Sequence, residues 1–240
     1  MNKMEMTVTC SGTKRSLPTE QFTHEQFTAK EPGSALTHFI AFILAVCFIP
    51  PLLIHGIKSG LAGGQVASLV VFIFSMILLY GASTAYHTFR LSESGCRILK
   101  KMDHMMIFVL IAGSYTPVCA IHLAACGGYW LLALVWAIAF IGIVFKFFWI
   151  NCPKWVSSIL YIGMGWVCIL AWRDIVSSLP SLSFGLLLAG GIVYTVGGVI
   201  YALKLPFLEG KFKNFGTHEL FHLFVMGGSI CHYLAVYLSV

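Results

Sequence analysis

Seven apolar runs, each long enough to cross about 30 Å of hydrocarbon, follow one another from Ala35 to the end of the chain. They lie near 35–57, 66–88, 104–123, 129–150, 155–173, 182–203 and 216–238. In lipid such a run must be helical, because a helix pairs its backbone donors and acceptors within one segment. Strands of a transmembrane barrel would instead show apolar alternation over about ten residues, which this chain lacks. Charge agrees with lipid as the solvent. Asp, Glu, Lys and Arg make up 10% of the 240 residues, against about 25% in a soluble domain. A cytosolic enzyme, a nucleic-acid binder and a disordered tail protein are excluded. The expected fold is an all-α integral membrane protein, a seven-helix bundle over 31–240 behind a polar tail over 1–30. The tail has no apolar core for a cleavable signal peptide, and a short interfacial helix is expected around Phe22 and Phe27.

The net charge of +6 carries orientation. Lys3, Lys14, Arg15 and Lys30 precede the first run, and Arg90, Arg97, Lys100 and Lys101 follow the second. Lys146 and Lys154 flank the loop after the fourth, with Lys204, Lys211 and Lys213 after the sixth. Thirteen of the fifteen basic residues thus fall on one side, against Lys58 and Arg173 on the other. The positive-inside rule then predicts a cytoplasmic N-terminus and an extracytoplasmic C-terminus in the cell membrane. Pro50-Pro51 and Pro117 are expected to kink or end their helices. Gly190-Gly191 and Gly197-Gly198 suit close helix contact. The eight cysteines form no CxxC pair and read as apolar filler.

Ionisable groups inside spans are costly and point to function. His218-Glu219-Leu220-Phe221-His222 opens the last helix as an HExxH sequence. Its two imidazoles, at i and i+4, share one helix face and can converge on a metal. Two His buried and hydrogen-bonded between helices is the plainer alternative. Ser83 and His87 form another i, i+4 pair at the cytoplasmic end of the second helix, and Asp103 stands at the start of the third. Taken singly, Ser83 reads as an interhelical hydrogen bond and Asp103 as a helix N-cap. The charge ledger, built from Lys and Arg alone, brings all five residues to one depth. Three His with one open position are the ligand set of a catalytic zinc site, here His87, His218 and His222. Asp103 would hydrogen-bond or deprotonate the water on such an ion.

The remaining histidines fit less well. His232 lies ten residues past His222, about 15 Å along a helix, and reads as a satisfied interhelical side chain. His55 and His122 fall at outer boundaries, His24 lies in the tail, and His104 reads as interfacial. His38 is placed to support a ligand from behind, and Lys146 to snorkel to the headgroups. HExxH also raises an intramembrane metalloprotease with Glu219 as general base. Such enzymes take a third ligand from downstream, yet only 18 residues follow His222 and none is Asp or Glu.

The chain resembles the bacterial hemolysin III proteins, which belong with the progestin and adiponectin receptor superfamily. The resemblance rests on Glu31-Pro-Gly-Ser-Ala-Leu-Thr-His38 and Gly81-Ala-Ser-Thr-Ala-Tyr-His87, then on Asp103-His104 running into Ala112-Gly-Ser-Tyr-Thr-Pro117. It closes with His218-Glu-Leu-Phe-His222 and Gly227 through His232. The resemblance implies a seven-helix bundle with zinc on His87, His218 and His222, and with Asp103 and Ser83 beside the zinc-bound water. It also implies kinship with receptors associated with ceramidase activity and with a wider group of membrane hydrolases. Ser34 stands where that family usually has Asn, which leaves the role of the first helix open.

Three functions follow as expectations. The first is a zinc-dependent amidase acting on a membrane lipid, with a ceramide-like or fatty-acid ligand, Asp103 taking a proton from water and Ser83 orienting Asp103 or the developing oxyanion. The second is a non-enzymatic sensor or regulator of lipid or membrane state with structural zinc. The third is a cytolytic pore, which should show a polar stripe along whole helices; here the polar residues cluster at one end.

Overall fold

A computed structural model of the chain describes residues 29–203 and 215–240. The expected interfacial helix at Phe22 and Phe27, His24 and the basic residues Lys3, Lys14, Arg15, Lys204, Lys211 and Lys213 lie outside the described residues. Among the described residues every regular element is helical: α1 (Pro32–Cys47), α2 (Ile49–Lys58), α3 (Gly63–Thr88), α4 (Glu93–Pro117), α5 (Gly128–Phe148), α6 (Lys154–Gly165), α7 (Trp172–Ser178), α8 (Ser181–Leu203) and α9 (Thr217–Ser239). A π turn, Val118–His122, follows α4, and a 3-10 stretch, Trp166–Ala171, joins α6 to α7. Together they make seven spans.

Proline placement explains two of the breaks. Pro50 and Pro51 occupy the first turn of α2, where missing donors cost nothing, so α1 stops at Cys47 and the first span continues as a separate helix. Pro117 ends α4, and the chain relaxes into the π turn directly after it. The interruption between α6 and α7 carries no such sequence signal. The third span starts earlier than hydropathy indicates. Ser92 caps α4 by accepting the Gly95 N–H at 3.3 Å, so the helix begins at Glu93. Asp103 is consequently an interior residue of α4, not its N-cap.

The bundle is apolar outside and buries its ionisable groups within an otherwise apolar interior, the arrangement lipid demands. Phe148 is 80% exposed and Phe140 67%, whereas Ser34, Ser83, His87, Asp103 and His222 are buried. Lys146 does not snorkel. It is 0% exposed, and its Nζ donates to Ser157 Oγ at 2.6 Å and to Cys152 Sγ at 3.1 Å. The connection after α5 turns back over the amine and supplies the partners that headgroups would otherwise give. Helix α8 lies along α9 through glycine: a Cβ on Gly190 would meet His232 Cδ2 at 2.4 Å, and one on Gly197 would meet Phe224 Cβ at 2.6 Å. Helix α3 packs between α1 and α4, and α1 also touches α9. That arrangement brings the end of α3 to the starts of α1 and α9.

Candidate metal centre

Helices α3 and α9 run in opposite senses, so the last turn of one meets the first turn of the other. His87, on the last turn of α3, therefore faces His218 and His222 on the first two turns of α9. One ring nitrogen of each lies within 4.8 Å of the others. The ring centroids are 5.0 Å apart for His87 and His218, 5.2 Å for His87 and His222, and 4.5 Å for His218 and His222.

Tautomers follow from the outer partners. His87 Nδ1 lies 2.6 Å from Glu31 Oε2. Burial pulls the Glu31 carboxyl upward, but the His87 hydrogen bond, with the nearby His87 and Lys30 charges, outweighs it and holds the group down at about 2. An ionised carboxylate only accepts, so His87 Nδ1 carries a proton, and in the neutral ring the lone pair falls on Nε2. Thr37 Oγ1 donates to Ser34 O at 2.9 Å and sits 3.1 Å from His222 Nδ1. With its one proton already given, Thr37 accepts from His222 Nδ1–H, which again leaves Nε2 bare. His87 Nε2 and His218 Nε2 approach to 3.3 Å. Bare lone pairs at such separation repel unless a proton or a cation lies between them. A borderline-soft cation that prefers imidazole nitrogen, such as zinc, fits this donor set and its carboxylate–histidine support.

Glu31 and Thr37 did not stand out from the sequence, although both lie in the block that carries the resemblance. Glu31 grips α3 a second time: its N–H donates to His87 O at 2.9 Å, and Lys30 N–H donates to Thr88 O at 3.2 Å. His38 stacks on His222 with centroids 3.6 Å apart and planes 7° from parallel. Both of its ring nitrogens are buried and unpaired, as is Ser83 Oγ. These orphaned atoms beside the three histidines are the kind of polar groups that a bound ion with its water, or a substrate, satisfies.

Asp103 and Ser83 occupy different places relative to the ligands. Asp103 lines the same cavity as His38, His218 and His222. Ser83 is fully buried one turn before His87 and does not line that cavity. His104 is not interfacial: it lines the cavity, its Nδ1–H donates to Lys100 O at 3.0 Å, and it lies 3.5 Å from Asp103 Oδ2. Glu219 does not line the cavity. Its Oε2 accepts the Gly216 N–H at 2.8 Å, closing the first turn of α9, and its Oε1 accepts from Ser34 Oγ at 2.5 Å. Ser34 thus has a definite partner, and both carboxylate oxygens of HExxH are engaged in structural hydrogen bonds.

The cavity holds about 190 Å³ and is almost wholly apolar. Its wall along α4 and into the π turn runs from Asp103 to Cys119, roughly 24 Å at helical rise. Trp172, Phe184 and His232 line it as well. His232 is only half satisfied: Nε2–H donates to Leu187 O at 3.2 Å, while Nδ1 is buried without a partner. His55 and His122 stand at the opposite end, stacked on Tyr237 and hydrogen-bonded to Ser239 Oγ.

Comparison with known proteins agrees with the architecture. A family model described as haemolysin-III related matches residues 27–233. Hemolysin-3 of Bacillus cereus is 39% identical over 220 residues, covering 91% of this chain and 95% of that protein. The Hemolysin-3 homolog of Bacillus subtilis (strain 168) is 37% identical over 212 residues, covering 88% and 94%. An adiponectin receptor protein of Drosophila melanogaster is 27% identical over 190 residues, covering 68% of this chain and 40% of the receptor.

Proposed function

The chain belongs to the haemolysin-III-related family, and from that premise we propose that it is a zinc-dependent hydrolase of lipid amides, ceramidase-like in chemistry. The observation that carries the reading is the meeting of His87 with His218 and His222, the latter two lining an apolar cavity that Asp103 also lines. Zinc bound there supplies a Lewis acid for the amide carbonyl and activates water near neutral pH. Glu31 and Thr37 hold two imidazoles in the tautomer that presents Nε2. Asp103 takes the proton from the attacking water and returns it to the departing amine. Ser83, buried one turn before His87 with its hydroxyl unpartnered, would orient Asp103 or the developing oxyanion. The long apolar cavity accepts an acyl chain and keeps water from it, which selects a lipid over a soluble amide.

The test is hydrolysis of a fluorescent N-acyl sphingoid by the zinc-loaded protein in lipid nanodiscs. Fatty acid should be released by the wild type and not by Asp103→Asn, which should keep its zinc. Zinc-loaded wild type that releases no fatty acid from ceramide or other N-acyl lipids contradicts the reading. A second reading, structural zinc in a non-enzymatic lipid sensor, draws on the way the site joins α1, α3 and α9. It requires Asp103→Asn to spare function while His222→Ala abolishes folding.

A further inference from the structure

Away from the histidine centre, Lys146, Cys152 and Ser157 form a second cluster that the proposed hydrolysis does not use. Lys146 lies in the last turns of α5, Cys152 in the connection to α6, and Ser157 in the first turn of α6. All three are buried, Lys146 and Ser157 almost completely and Cys152 to 9% exposure. Nζ stands 3.1 Å from Sγ and 2.6 Å from Ser157 Oγ, and Sγ lies 3.4 Å from the same hydroxyl. Among the described residues no ion pair involves Lys146, so its buried amine has a thiol and a hydroxyl for company where a carboxylate is the usual answer. A thiol held against an amine, both shielded from bulk water, is set up for an intramolecular bond.

We propose that Cys152 and Lys146 form an oxidation-dependent sulfenamide cross-link, with a peroxide as the oxidant. The peroxide O–O bond breaks as the Cys152 thiol attacks it. Sulfur is oxidised by two electrons, and the products are a sulfenic acid and water (hydrogen peroxide) or an alcohol (an organic peroxide). The Lys146 nitrogen then attacks Sγ. The S–N bond forms, the S–O bond breaks, and the oxygen departs as water with one amine proton. Condensation of a sulfenic acid with a nitrogen is established thiol chemistry, and a second thiol reverses it by attack at sulfur. Ser157 Oγ holds the amine in place during the exchange, a positioning role. The closed bond ties the end of α5 to the connection leading into α6. The expected orientation puts that connection on the cytoplasmic side, where reducing thiols are available.

The test uses the full-length protein in nanodiscs, treated with hydrogen peroxide, alkylated at remaining thiols and digested with chymotrypsin. Mass spectrometry should find a Lys146–Cys152 linked peptide two hydrogens lighter than its reduced form and restored by a dithiol. Cys47 and Cys126, which are exposed, should oxidise without linking to lysine. Lys146→Met should lose the link, its Cys152 advancing to the sulfinic acid, while Ser157→Ala should form it more slowly. Cys152 recovered from oxidised wild type as sulfenic or sulfinic acid with Lys146 free overturns the proposal. So does Cys152 still reduced when Cys47 and Cys126 are fully oxidised. The wild type alone decides the matter, whether or not the variants fold.

Discussion

A metal-binding imidazole almost always has its other nitrogen held by a second group, and Glu31 and Thr37 hold the Nδ1 atoms of His87 and His222 in that way. Glu31→Gln keeps the shape but weakens the acceptor for His87 Nδ1–H. Zinc affinity should fall about 10–100-fold, the usual consequence of losing such a partner, measured by competition with a chelator of known strength. Thr37→Val, which removes the acceptor for His222, should fall in the same range, whereas Phe140→Ala on the lipid face should leave affinity unchanged. His87, His218, His222 and Asp103 stood out in the sequence because ionisable residues are scarce in these spans. Glu31 and Thr37 did not. Glu31 stands at the edge of the first apolar run, where an acid is unremarkable, and Thr37 is an ordinary helix residue. Only the packing of α1 against α3 and α9 gives either a partner.

Helix ends place this site more than helix middles do. Glu219 shows the difference, since its position in HExxH suggests a base while its contacts make it a brace for α9. Glu219→Ala should cost roughly 1 kcal/mol of stability through loss of the first-turn cap and the tie to Ser34, read as a lower Tm in detergent. Zinc binding should survive it, and so should hydrolysis; a metalloprotease base would abolish the reaction. The α8–α9 seam makes a second prediction. Gly190→Ala sets a methyl against His232 and should destabilise by about 1–3 kcal/mol through overpacking, whereas Gly191→Ala, which meets nothing, should be silent. Span number and the proline breaks were legible because hydropathy and missing donors are local properties. The early start of α4 was not, because its first turns are polar, and the fate of Lys146 depended on a connection that folds back over it.

At the scale of the molecule, the buried ionisable residues His38, His87, Asp103, Lys146 and His222 gather toward one end of an apolar bundle, and described basic residues Lys30, Arg90, Arg97, Lys100, Lys101 and Lys154 belong to the helix ends and connections there. By the positive-inside rule we propose that this end faces the cytoplasm. Single cysteines introduced at position 93 and position 60 of an otherwise cysteine-free protein should divide accordingly in intact cells. A membrane-impermeant maleimide should label position 60 and spare position 93 until the membrane is opened; the reverse pattern would invert the topology. The central claim is that one ion joins α3 to α9 through His87, His218 and His222. Its most direct measurement is the metal content of the purified protein, wild type against His87→Ala, with folding checked by circular dichroism. The account predicts close to one zinc per wild-type chain and loss of that zinc from the folded variant. Zinc retained in full by His87→Ala, or a folded wild type that takes up no zinc, would contradict it.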